Sequence, residues 1–348
     1  MRPSDCRVVL DREFAAASEG LHTPVMLWGP PGVGKSQLVA QVATAHGVPL
    51  VDVRLAQMEP TDLRGIPFRS GDSVVWAAPA LLPNAERHGP RGILFLDEIT
   101  SATPTVTAAA YQLILDRRLG EYEVPAGWAV FAAGNRHGDR GVTYQLPAPL
   151  ANRFAHYEIE PDLDDWARWA YAQPIDPRLI AFLRFRPDLL FSFDPTRHSV
   201  AFPSPRSWAF ADRALRKFRD TPHLLAESLQ ACVGAAAGLA LRAYLDHIDA
   251  LPDPARVLAG EITALPAKVE LQYAIATSIV RHVASLPKTA HAQALNQALV
   301  AAHRFAHREI GVMLITDLQH AIDRPLYDLP AFADWAAAVK DLILFERP

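Results

Sequence analysis

The segment Gly29-Pro30-Pro31-Gly32-Val33-Gly34-Lys35-Ser36 constrains this chain more than any other stretch. It fits G-x-x-x-x-G-K-[ST], with an apolar run before it at 25–28 and a helix-patterned stretch from Lys35. That context demands strand, turn and helix in succession. Backbone N–H groups from Gly32 onward, together with the positive end of the helix dipole, then surround a polyphosphate. Pro30 and Pro31 have no N–H to offer and stiffen the turn instead. Lys35 is spaced to reach β- and γ-phosphates and Ser36 to bind Mg²⁺ through its hydroxyl, so the loop from Gly29 through Val33 and Gly34 to Gln37 is the expected ATP cradle.

The surroundings agree. Short apolar runs at 25–28, 50–53, 93–96, 128–133 and 155–159 alternate with helix-patterned stretches at 35–45, 105–115 and 162–171. Near-continuous apolar strands separated by helices predict an α/β doubly wound parallel sheet, covered on both faces. In such sheets the ligand meets the carboxyl ends of the strands. The run Ile93-Leu94-Phe95-Leu96 ends in Asp97-Glu98, which puts two carboxylates beside the phosphate loop. Asp97 suits the Mg²⁺ and Glu98 suits polarising a water, a pairing that points to hydrolysis rather than transfer to a second substrate. A further apolar run ends in Gly134-Asn135, and an amide there can bond both a γ-phosphate and the attacking water.

Length and composition set the outer bounds. A chain of 348 residues predicts two domains, or one large domain with an appendage, and with 50% apolar and 21% charged residues it can build a core without staples. Two cysteines, Cys6 and Cys232, fit no zinc or redox spacing and point to a reducing compartment, the cytoplasm. The N-terminus carries no basic segment followed by an apolar core. The uncharged stretch 228–241 falls short of the roughly 20 residues that span a bilayer, so a packing helix is expected there and no membrane insertion. A formal charge of −4 disfavours a general nucleic-acid binder, although Arg213, Arg216, Lys217 and Arg219 form one basic stretch.

Two intervals interrupt the α/β rhythm and predict hairpins, at 65–76 with Ser70-Gly71-Asp72 as the turn, and at 119–128. A Pro- and Arg-rich stretch, 174–205, separates the sheet region from a helical second half. The expected division is therefore 1–172 for the α/β domain, 173–220 for a linker and the start of a helical lid, and 221–348 for the remaining helices.

These residues, in this order, resemble the AAA+ ATPases and in particular their MoxR-like branch. The resemblance rests on the phosphate loop, on Phe95-Leu96-Asp97-Glu98-Ile99 followed by Ala102 and Pro104, on Asp116-Arg117-Arg118, on Ala132-Ala133-Gly134-Asn135, on Leu150-Ala151-Asn152-Arg153-Phe154 and on Ser204-Pro205-Arg206. It covers residues 20–220 and thins out beyond. It implies an AAA+ core with a helical lid, and ATP bound with Mg²⁺ between subunits of a ring, a hexamer. It further implies Arg153 as the arginine completing the neighbouring subunit's site, Arg206 as the lid residue touching the γ-phosphate, and both hairpins as inserts facing the pore. Arg140, in a charged Gly-rich loop, is a second candidate for the arginine acting in trans. The implied output is remodelling of a protein client, often one with a von Willebrand factor A domain; the alternative is a nucleic-acid-acting or defence-complex subunit. The sequence departs from the family pattern at Thr100 and Ser101, where Asn and Arg are common, and at Asn152, where Asp is.

Overall fold

The computed structural model describes all residues except 137, 138, 140–143, 195–199, 249, 250, 323 and 345–348. The chain divides into two compact units, Met1–Asp162 and the chain from Leu163 onward.

In the first unit, five strands form one parallel sheet: β1 (Val25–Trp28), β2 (Leu50–Arg54), β3 (Arg91–Asp97), β4 (Gly127–Gly134) and β5 (Ala155–Glu158), in the order β2-β3-β4-β1-β5. The interior strands are buried on both faces, which is why they are apolar throughout: Gly92 to Leu96 of β3 and Trp128 to Gly134 of β4 are all shut away from solvent. On one face Met26, Leu94, Leu96, Val130 and Ala132 pack with Val106, Ala110 and Leu113 of the helix Pro104–Asp116. The opposite face is covered by the helix Lys35–His46 and by an N-terminal helix, Pro3–Ala17, that the sequence reading had not assigned. Cys6, Leu10, Phe14 and Ala17 form its buried stripe at helical spacing.

The strand order positions the site. From β1 the chain runs out to the edge at β2, returns through β3 and β4, and places β5 on β1's other side. The carboxyl ends of β3, β4 and β1 are consecutive in space, and the crevice at that reversal is where α/β sheets take ligands.

Both expected hairpins are present. The first pairs Ile66–Ser70 with Ser73–Ala77, the second Arg118–Leu119 with Tyr122–Glu123. Arg117, at the root of the second, holds a left-handed backbone (φ 55°), and its guanidinium donates to the carbonyls of Pro125 (2.9 Å) and Trp128 (2.6 Å).

Among the described residues the regular structure of the second unit is helical: Leu163–Ala172, Pro177–Phe185, Pro205–Lys217, Pro222–Val233, Ala235–His247, Pro254–Leu258, Val269–Ser285, His291–Ala302, Arg308–Ala321 and Phe332–Leu344 share one apolar core. Proline opens four of them, at the position where a missing N–H costs nothing and the fixed φ already suits a helix. Two expectations shift. The boundary falls at Asp162 rather than 172, because Trp166, Ala167, Ala170 and Tyr171 bury into the helical core. The single packing helix expected at 228–241 is two helices. Gly234 breaks it with a φ of 86° that favours glycine, and Gly238 lets the second helix approach Gln230, whose backbone a Cβ would meet at 2.6 Å.

Candidate active site

The loop after β1 opens the helix Lys35–His46, with Gly34 in a left-handed conformation (φ 102°) just before it. The Lys35 ammonium donates to the carbonyls of Gly29 (2.6 Å) and Pro30 (3.2 Å) and to the Asn135 side-chain oxygen (3.1 Å). Across the crevice the Ser36 hydroxyl donates to Asp97 at 2.8 Å. Loop, β3 and β4 thus meet through four side chains that lie 61 and 100 residues apart in the chain. Lys35, Ser36, Asp97 and Asn135 are half-buried, which strengthens their interactions without removing them from a ligand's reach. Gln37, at the loop's end, is exposed.

Glu98 differs from its neighbour. It is exposed, and its backbone is left-handed (φ 56°, ψ 33°), a conformation costing a non-glycine residue about 1–2 kcal/mol. Its N–H donates to Asp97 Oδ1 at 2.9 Å, which keeps that turn in place. Strained residues of this kind collect where a side chain must be aimed.

Two residues here were not assigned from sequence. Thr100, noted only as a departure from the family pattern, is buried, and its hydroxyl accepts the Asn135 backbone N–H at 3.1 Å. It also packs so tightly on Gly134 that a Cβ there would meet its methyl at 2.7 Å. Asp52, on β2, is the other. Burial raises its carboxyl above the ordinary range, Asp97 and Glu98 add to that, and Arg54 opposes them. Alternation along 50–54 was the available signal for Asp52; nothing local announces Thr100.

The arginines are distributed differently. Arg153 is exposed in a turn closed by the Phe154 N–H on the Ala151 carbonyl (3.1 Å), with Asn152 and Arg153 as its central residues. Arg206 is exposed in the first turn of Pro205–Lys217, in the helical unit, behind the Ser204–Ser207 capping box. Arg140 lies outside the described residues. In the basic stretch, Arg216 pairs with Asp212, while Arg213 and Lys217 lie over the rings of Phe210 and Phe218.

The donor set fits the expected ligands. An ammonium, loop N–H groups and a helix N-terminus suit polyphosphate, and a hydroxyl beside a carboxylate is the all-oxygen set that Mg²⁺ takes alongside substrate phosphates.

Comparison with known proteins agrees. Residues 24–154 match the AAA domain, dynein-related subfamily. Protein NorQ of Paracoccus denitrificans is 32% identical over 156 residues, covering 42% of this chain and 55% of NorQ. The denitrification regulatory protein NirQ of Pseudomonas aeruginosa is 35% identical over 96 residues, 27% of this chain and 36% of NirQ. A putative ATPase from Cytophaga hutchinsonii, of known structure, superposes over 98% of this chain and 89% of its own at 13% identity and a TM-score of 0.35. The chain thus spans about half of NorQ and a third of NirQ. With its strand order and phosphate loop, the sheet unit is an AAA+ P-loop ATPase domain. Within that class its motifs and its likeness to NorQ and NirQ make the chain similar to the MoxR-like branch.

Proposed function

We propose that this chain binds ATP with Mg²⁺ at the ends of β1, β3 and β4 and hydrolyses it, in the cytoplasm, as a subunit of a ring, a hexamer. The observation that carries this reading is the convergence of Lys35, Ser36, Asp97 and Asn135 on one crevice. Lys35 and the loop amides bind and orient the β- and γ-phosphates. Ser36 and Asp97 hold the metal, which when bound neutralises charge on the phosphate oxygens. Glu98 takes a proton from the attacking water. Asn135 directs its oxygen to Lys35, which leaves its NH₂ to donate to the γ-phosphate or the water. Arg153, presented on its turn, reaches a neighbouring subunit's γ-phosphate; a guanidinium matches charge spread over phosphoryl oxygens. Arg206, in the helical unit, is the lid residue that touches the γ-phosphate. Turnover drives the hairpins or the helical unit to remodel a protein client, engaged through a von Willebrand factor A domain of that client.

Glu98→Gln decides the central claim. It keeps the side chain's shape and removes the base, so nucleotide affinity holds while turnover falls by about 10²-fold or more. Undiminished turnover in this variant removes Glu98 from the role. The same variant, held with ATP, serves as a trap: a retained protein supports the client reading, and retained nucleic acid replaces it.

A further inference from the structure

Trp28 is the last residue of β1 and the residue before Gly29, the first of the phosphate loop. Its indole N–H donates to His156 Nδ1 at 2.8 Å, with the two rings side by side, 20° from coplanar and 5.9 Å between centroids. His156 lies on β5, the edge strand beside β1. With Nδ1 accepting, its other nitrogen carries the proton, and that Nε2–H lies 2.8 Å from the Ala151 carbonyl. This carbonyl also closes the turn that presents Arg153. The Phe154 ring, at the end of the turn, meets His156 edge-on at 6.2 Å. One imidazole therefore joins the root of the phosphate loop to the turn bearing the arginine.

We propose that His156 is a positioning residue that couples the two ends of a subunit's nucleotide chemistry: its own phosphate loop and the arginine it offers to the next subunit. The inference rests on the ATPase reading above and on Arg153 as the arginine acting in trans. The physical basis is the loop's dependence on Lys35, whose ammonium holds the Gly29 and Pro30 carbonyls. A phosphate competing for that ammonium releases both carbonyls, and the adjustment at Gly29 begins one residue from Trp28. His156 can follow Trp28 only by moving against Ala151, because its two nitrogens are committed one to each side and the ring is rigid. Asn152 and Arg153 ride on that carbonyl. A coupling of this kind needs no rearrangement of the sheet, since β1 and β5 stay in register from Val25↔Ala155 to Trp28↔Glu158.

His156→Phe keeps a planar ring and the edge contact with Phe154 and deletes both hydrogen bonds, while His156→Gln retains a donor and an acceptor. The Phe variant is expected to lower kcat about tenfold with KM and nucleotide affinity unchanged, and the Gln variant to recover part of it. In an Arg153→Ala background His156→Phe costs nothing more if it acts through that arginine. Additive losses, a wild-type rate in His156→Phe, or a raised KM without change in kcat each overturn the proposal. Amide exchange gives a reading independent of turnover. On adding ATPγS, protection of residues 150–154 changes in the wild type and not in His156→Phe; equal responses overturn the coupling. A wild type that binds ATPγS without hydrolysing ATP refutes the ATPase reading, while the exchange experiment still decides the coupling.

Discussion

The two units use charge in opposite ways. At the strand ends of the sheet unit, Lys35, Ser36, Asp97 and Asn135 are half-buried and lean on one another or on loop carbonyls, all contacts a phosphate or a metal can replace. In the helical unit, Arg184 and Asp317 are 9% and 5% exposed, 2.5 Å apart, and closed off by the Tyr171 hydroxyl at 3.0 Å and by Asp164. Burial pushes the Asp317 carboxyl up, while the guanidinium and the phenol pull it back; the buried Tyr171 phenol is driven well above its ordinary value and stays a neutral donor. The first cluster has bonding capacity to give to a ligand. The second is spent on joining the helices Leu163–Ala172, Pro177–Phe185 and Arg308–Ala321.

The largest effect expected on this contrast is at Lys35. Lys35→Ala removes the ammonium and its three donors, and hydrogen bonds to charged groups are worth ~1.5–3 kcal/mol each. Nucleotide binding, followed by calorimetry, should fall more than about a hundredfold, with the melting temperature of the nucleotide-free protein nearly unchanged. A large loss of melting temperature would mean that this cluster too is structural.

Arg184→Met tests the other half. Leaving Asp317 buried without its cation should cost ~3–5 kcal/mol in denaturant unfolding, whereas Arg184→Met with Asp317→Leu should recover only part of it: apolar replacement of a buried pair is often neutral, but here the Tyr171 hydroxyl loses its acceptor. Nucleotide affinity should stay put in both. If the single substitution is harmless, the network contributes far less than its burial implies.

The same contrast explains what was legible in the sequence. Motifs whose residues are neighbours in the chain, such as 29–36 and 97–98, carry their chemistry in local spacing, and near-unbroken apolar runs located all five parallel strands. Thr100 and His156 were invisible because their partners lie 35 and 128 residues away, and neither residue type announces a role. The N-terminal helix does carry a readable stripe, Cys6, Leu10, Phe14 and Ala17, at helical spacing. In the helical unit, apolar periodicity located helices but could not foresee that Gly234 divides one of them, because an uncharged Ala/Gly-rich run looks continuous until a backbone angle interrupts it. Asp164, Arg184 and Asp317 lie on three different helices, and only folding brings them together.

The smallest expected effect is a pH dependence that each unit carries through one histidine. His22, 4% exposed, accepts the Val130 N–H at 2.8 Å, while its Nδ1 faces the Glu13 carbonyl at 3.2 Å and the Glu13 carboxylate at 3.3 Å. Burial lowers its pKa below 6.5, and Arg117 adds to that against the opposing Glu13 carboxylate. His320, in the helical unit, is lowered from 6.5 by burial and then by Arg168 and Arg184, with Asp164 and Asp165 opposing. The sign is the same for both. Between the lowered value and 6.5 the unfolded chain binds a proton that the folded chain does not, so stability falls as the pH drops through that window and is level above it. Thermal unfolding from pH 8 down to pH 5 should show this decline in the wild type. His22→Gln keeps an acceptor for Val130 but cannot titrate, so it should flatten the part of the decline that His22 carries and leave the contribution of His320 in place. Nucleotide provides the discriminating control. Saturating ATPγS stabilises whatever melts together with the sheet unit. If the two units unfold separately, the His22→Gln change travels with the transition that ATPγS raises. A His22→Gln effect confined instead to the transition that ATPγS leaves alone would assign His22 to the wrong unit.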